Sequence, residues 1–109
     1  MTDATDHVQV VDNSAEQRFE AQIAGAVAGF VDYHRRGCKV SLTHTEVDDG
    51  FEGQGIGSTL AGQALDAVRD GGLSVLPLCT FVRRYIERHP EYLDLVAAED
   101  RERFDLPTT

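Results

Sequence analysis

Phe51-Glu52-Gly53-Gln54-Gly55-Ile56-Gly57-Ser58 sets three alternating glycines between a strand-like run and an amphipathic helix. Glycines at such a junction strip side chains from a helix N-terminus and leave bare backbone N–H groups pointing outward. That arrangement cradles a diphosphate without a lysine. Tight packing of a strand-to-helix turn is the structural alternative for the same spacing. Two familiar phosphate loops fit poorly. A Walker loop needs Lys directly before Ser or Thr, and here Gly57 precedes Ser58-Thr59. A dinucleotide fingerprint needs G-x-G-x-x-G, yet counting from Gly55 the sixth position is Leu60.

Upstream of the glycines the chain reads as strands. Val8 to Val11 is a short strand, and Asp12-Asn13-Ser14 makes a turn. Phe19, Ala21 and Ile23 alternate with Arg18, Glu20 and Gln22, the period-two pattern of a half-buried strand. Ala24-Gly25 turns into the run Val27 to His34, and Arg36-Gly37 turns again, giving antiparallel strands joined by short hairpins. In the strand Lys39 to Val47, Val40 and Leu42 mark the apolar face, and unbroken alternation carries His44 and Glu46 onto it. Polar groups on an apolar face cost desolvation unless they pair or line a cleft. The pair therefore reads either as a site at this end of the strand or as a hydrogen-bonded structural pair.

Downstream, Gln54 to Asp70 is helical. Ile56, Leu60, Ala64 and Val68 form a stripe, with Thr59, Gln63, Asp66 and Asp70 opposite. Gly62 costs about 1 kcal/mol relative to Ala, for which close approach to the sheet would account. Leu73 to Leu78 is a short buried strand, and a helix between two strands implies a β-α-β crossover pairing residues 39–47 with 73–78 in parallel. Thr80 is the expected cap of a second helix, Phe81 to His89, which Pro90 stops. Tyr92, Leu93, Leu95 and Val96 cover the core. The expected organisation is one domain over residues 7–97, with 1–6 and 98–109 as polar, solvated termini.

Bulk properties narrow the partners. The 109 residues are 41% hydrophobic and 27% charged, as in a soluble globular domain. No apolar run approaches membrane-spanning length and the N-terminus is polar, so no membrane association and a cytoplasmic location are expected. Ten Lys and Arg against 19 Asp and Glu leave a net charge of −9, which disfavours nucleic acid and reads either as attraction for a cationic acceptor or as solubility or adaptation to salt. Cys38 and Cys79 read as free thiols, and no Cys/His cluster has zinc spacing, so no metal is expected. Cys79 lies at a strand tip just before a helix N-terminus, where dipole and free N–H groups favour a thiolate. It is either a nucleophile or proton donor, or a small buried residue.

The run Val47-Asp48-Asp49-Gly50-Phe51-Glu52-Gly53-Gln54-Gly55-Ile56-Gly57 resembles motif A of the GNAT acyl-CoA N-acetyltransferase superfamily, Q/R-x-x-G-x-G/A. Gly55 and Gly57 hold the glycine positions, and Glu52 departs from the Gln or Arg. With His44-Thr45-Glu46-Val47, Val75-Leu76-Pro77-Leu78-Cys79 and His89-Pro90-Glu91-Tyr92, the chain resembles short single-domain GNAT-like proteins over about residues 7–96. The resemblance implies a compact α/β GNAT-like fold, with a mixed, mostly antiparallel sheet, a β-α-β crossover and helices packed on it. It implies acetyl-CoA as co-substrate, contacted by Val47 through backbone groups and by the turn Gln54, Gly55, Ile56, Gly57 and Ser58.

The activity implied is acetyl transfer to an amine acceptor, whether a small molecule, a polyamine or a protein lysine. Alternatives are a non-catalytic acyl-CoA-binding or sensing module, or a small subunit of a complex. The chain is expected to be a monomer or small homo-oligomer. Aligning Tyr85-Ile86-Glu87-Arg88 with the family's usual Phe-Tyr-Glu-Lys puts Ile86 where the Tyr acid stands. Cys79 is then the candidate for the proton or nucleophile, with Glu46 or His44 as base. Arg83, Arg84 and Arg88 either meet CoA phosphates or form a solvated helix face.

Overall fold

The computed structural model describes residues 8–48, 50 and 55–106. Five strands form one sheet in the order β1 (Gln9–Asn13), β2 (Arg18–Ile23), β3 (Ala26–Arg36), β4 (Lys39–Val47) and β5 (Ser74–Pro77). The first four run antiparallel to their neighbours, and β5 lies parallel to β4. Helix α1 (Ile56–Asp70) makes the crossover between β4 and β5. Helix α2 (Thr80–Arg88), a 3₁₀ segment (Pro90–Leu95) and α3 (Ala98–Arg103) follow. The expected mixed sheet with one β-α-β crossover is the observed fold.

Cross-strand register defines the two faces. Phe19, Val31 and Thr45 stand in one row, and Ala21, Gly29 and Val47 in the next; both rows lie on the helix side. The opposite face carries the rows Arg18–Asp32–His44 and Glu20–Phe30–Glu46. Beneath α1, the buried Phe19, Val31, Val40, Leu42 and Val75 pack with Ile56, Leu60, Leu65 and Val68, and α2 adds Val82 and Ile86 to the same cluster. On the far face Glu20 is buried, yet its carboxylate accepts from Arg18 Nε (2.8 Å), Asn13 (3.1 Å) and Gln22 (3.2 Å). The Arg18 bond, aided by Asn13, holds this carboxyl below its ordinary range.

Several local expectations are corrected. Asp12 and Asn13 belong to β1, and the turn comes later, where Glu16 N donates to Asn13 O (3.2 Å) and Gln17 takes φ 54°. The residue capping α2 is Cys79, not Thr80, which already lies in the helix. The tail is not solvated as far as residue 106. Phe104 and Leu106 are buried, and Asp100 anchors α3 by accepting from Lys39 Nζ at 2.7 Å. Two apolar residues among charges carry too little periodicity to mark a buried face.

Gly62 answers to α2 rather than to the sheet. A Cβ there would stand 2.6 Å from the Tyr85 hydroxyl oxygen. Replacing Gly62 by alanine is therefore expected to lose, through that clash, the helix-propensity gain of about 1 kcal/mol. In a Tyr85→Phe background the hydroxyl is gone, and the same substitution should stabilise by about that amount. Urea unfolding of the four proteins checks this; equal effects of Gly62→Ala in both backgrounds would remove Tyr85 as the reason for the glycine.

Candidate active site

The decisive local feature is a bulge in β4. Asp32 pairs with His44 and Tyr33 with Leu42, which leaves Thr43 as an extra residue, its hydroxyl donating to Asp32 O at 3.3 Å. One added residue reverses every later side chain. Thr45 and Val47 thus inherit the helix side from Val40 and Leu42. His44 and Glu46, expected on that apolar face, lie instead on the opposite one. They are exposed there, with His44 Nε2 3.0 Å from Glu46 Oε2 and the His44 ring 6.2 Å from Phe30.

The bulge also ends the parallel pairing. β4 and β5 stay in register from Lys39–Ser74 to Leu42–Pro77 and then part. Pro77 has no N–H to extend the ladder, and Leu78 N turns back to Leu76 O at 2.9 Å. Cys79 N closes the junction on Leu42 O at 2.8 Å. Asp48 N donates to Ala28 O of β3 at 2.7 Å, so backbone alternation turns the N–H and C=O of Thr45 and Val47 away from β3. They face the gap that β5 has left.

At the apex of this wedge Cys79 Sγ lies 3.2 Å from Thr45 Oγ1, either atom being able to donate. Cys79 is buried and caps α2 with extended geometry (φ −75°, ψ 126°). The expected catalytic residues are therefore divided between the two faces of β4: Cys79 lies beside Thr45 on one, and His44 pairs with Glu46 on the other. Thr45 went unrecognised in the sequence because only the bulge gives it this heading.

The glycine turn opens onto the same end of the sheet. Gly55 caps α1 in the left-handed conformation (φ 74°), which favours glycine, and accepts from Thr59 N at 3.1 Å. Among the described residues no side chain caps this helix, and its first turn has no acid. Its leading N–H groups thus keep their capacity for an anion. Gly57 has a second reason: a Cβ there would stand 2.8 Å from Cζ of Phe81. Ser58 is exposed, whereas the Ile56 side chain is in the core, leaving only its backbone for a ligand. Gln54 lies outside the described residues, as do Phe51, Glu52 and Gly53.

On α2, Ile86 is fully buried among the core residues. Tyr85 stacks on His89 with ring centroids 4.1 Å apart. Burial first, and then Asp66 and Glu91, push its phenol above its ordinary value, so it stays protonated. Among the described residues no three His, Cys, Asp or Glu side chains group to hold a metal ion.

A sheet that parts beside a glycine-capped helix is the architecture of a known enzyme family, and the sequence matches it. Residues 18–95 match the model of the GCN5-related N-acetyl-transferase family, and this chain belongs to that family. Protein NATD1 from Xenopus tropicalis is 39% identical over 57 residues, 50% of this chain and 52% of the relative. Protein NATD1 from Homo sapiens is also 39% identical over 57 residues, half of each chain. The match thus spans about half the length of these relatives. The solution structure of a GCN5-like protein from Staphylococcus aureus shares the fold, with a TM-score of 0.63 at 21% identity over 83% of this chain and 88% of that one.

Proposed function

We propose that this chain is an acetyl-CoA-dependent N-acetyltransferase acting on an amine acceptor. The observation that carries the reading is the wedge where β4 and β5 part after Leu42 and Pro77, with Cys79 and Thr45 at its apex. The donor set fits the co-substrate. Uncapped N–H groups at the Gly55–Ser58 turn suit a diphosphate, and the unpaired edge at Val47 suits the amides of a pantetheine arm.

Transfer forms a bond between acceptor nitrogen and acetyl carbon and breaks the carbon–sulfur bond. The acceptor must lose a proton and the departing sulfur must gain one. Glu46, linked to His44, is the base on the outer face, where the acidic chain attracts a cationic amine. Cys79 holds the proton for the sulfur, and Thr45 positions its Sγ. In the covalent variant Cys79 Sγ takes the acetyl carbon while its proton leaves with CoA, and the amine then cleaves that thioester. The burial of Ile86 at the family's usual acid position favours, as a second reading, binding without turnover.

Thermal unfolding with CoA and acetyl-CoA tests the binding step. Ligand at 100 times its Kd should stabilise the fold by about 2.7 kcal/mol. No rise in Tm at millimolar concentration of either would reduce the reading to shared architecture alone. Turnover on a panel of amines by the isolated chain separates the enzyme from the binding module.

A further inference from the structure

Beside the glycine turn, a groove of about 190 Å³ runs between α1 and α2, lined by Ser58, Phe81, Arg84, Tyr85 and Arg88. Arg84 and Arg88 stand one helical turn apart and so project together. Neither forms an ion pair among the described residues, whereas Arg18, Lys39 and Arg69 each do. In a chain of net charge −9, two adjacent guanidinium groups left without carboxylates are a reserve of positive charge. Phe81 is 42% exposed and Tyr85 half-buried, so aromatic surface flanks them. Planar forks that pair with phosphate oxygens, beside rings on which a base can stack, are the chemistry that recognises a phosphorylated nucleoside. Arg83 does not line the groove.

We propose that Arg84 and Arg88 bind the 3′-phosphate of CoA, so that this chain discriminates CoA from 3′-dephospho-CoA. The inference rests on the CoA reading above, because Ser58 belongs both to the groove and to the turn assigned to the diphosphate. A phosphate monoester carries nearly two charges near neutral pH, and it meets two cations here. The Tyr85 phenol, kept neutral by burial and by the nearby Asp66 and Glu91, carries no charge of its own.

Calorimetric titration of the full chain with CoA and with 3′-dephospho-CoA, repeated on Arg84→Ala and Arg88→Ala, tests it. CoA should bind at least about tenfold more tightly than the dephospho form. Each substitution should weaken CoA about tenfold and leave dephospho-CoA unchanged, which also reports that the variant is folded. Raised salt should weaken CoA more than dephospho-CoA in the unaltered chain. Equal affinity for both nucleotides, unaffected by either substitution, overturns the assignment and leaves the CoA reading standing. Weakening of both nucleotides to the same extent also overturns it, since the arginines would then serve the shared part of the ligand. Binding of neither nucleotide overturns the CoA reading and this inference together.

Discussion

Replacing Cys79 by alanine is expected to lower kcat for acetyl transfer by about 100-fold or more while leaving CoA affinity nearly unchanged. The proposed role acts on the departing sulfur, whereas the contacts proposed for the nucleotide are made by the first turn of α1 and by Arg84 and Arg88, not by the thiol. A group that acts only as the carbon–sulfur bond breaks reduces kcat and kcat/KM together, without loosening the ground-state complex. Cys79 is part of the core cluster, so rates must be compared per folded molecule. Thr45→Val should lower kcat less than loss of the thiol does, because it removes the 3.2 Å contact and keeps the sulfur. Intact-mass measurement after incubation with acetyl-CoA separates the routes, since only the covalent one adds an acetyl group to the protein that Cys79→Ala abolishes. Full activity in Cys79→Ala would return the thiol to a packing role and leave Tyr85 or solvent as the proton source.

Gly55→Val should abolish the stabilisation that CoA confers and weaken the fold itself. Gly55 caps α1 at φ 74°, in a region where a β-branched residue is strained. Forcing valine there costs on the order of 1–3 kcal/mol or displaces the first turn. Displacement would redirect the N–H groups proposed to meet the diphosphate, so the shift of about 2.7 kcal/mol at 100-fold ligand excess should vanish. Urea unfolding with and without CoA reads both effects. Gly57→Ala is the contrast, because its Cβ meets only the tip of the Phe81 ring, which can swing aside. A Gly55→Val protein still stabilised by CoA to the full extent would place the ligand elsewhere.

Much of this architecture was legible in the chain because it is written in local periodicity. Alternation over Arg18–Ile23 and the helical stripe from Ile56 to Val68 each report a buried face, and a helix between two strands restricts the second to lie parallel to the first. The glycine turn at the start of the helix was legible as bare backbone, whereas the left-handed φ of Gly55 came only with the structure. Cys79 at the strand tip, ahead of α2, was likewise readable from order along the chain. The membership of the family rests on the same residues.

Other features depended on contacts between distant segments, which no local pattern encodes. The bulge at Thr43 arises in the pairing of β4 with β3, and it alone decides that Thr45 rather than His44 faces Cys79. Period-two alternation offered no warning, because one unpaired residue inverts a strand without altering its composition. Gly62 is small for the sake of Tyr85, and Gly57 lies against the ring tip of Phe81; both partners lie more than 20 residues away on α2. Phe104 and Leu106 are buried because the fold leaves apolar surface within their reach, and Lys39 supplies the charge that holds Asp100. Sequence thus determined the family, the order of elements and the glycine turn, since these follow from the backbone's own preferences. Tertiary structure decided which side chains share a face, since register is a property of two strands and not of one.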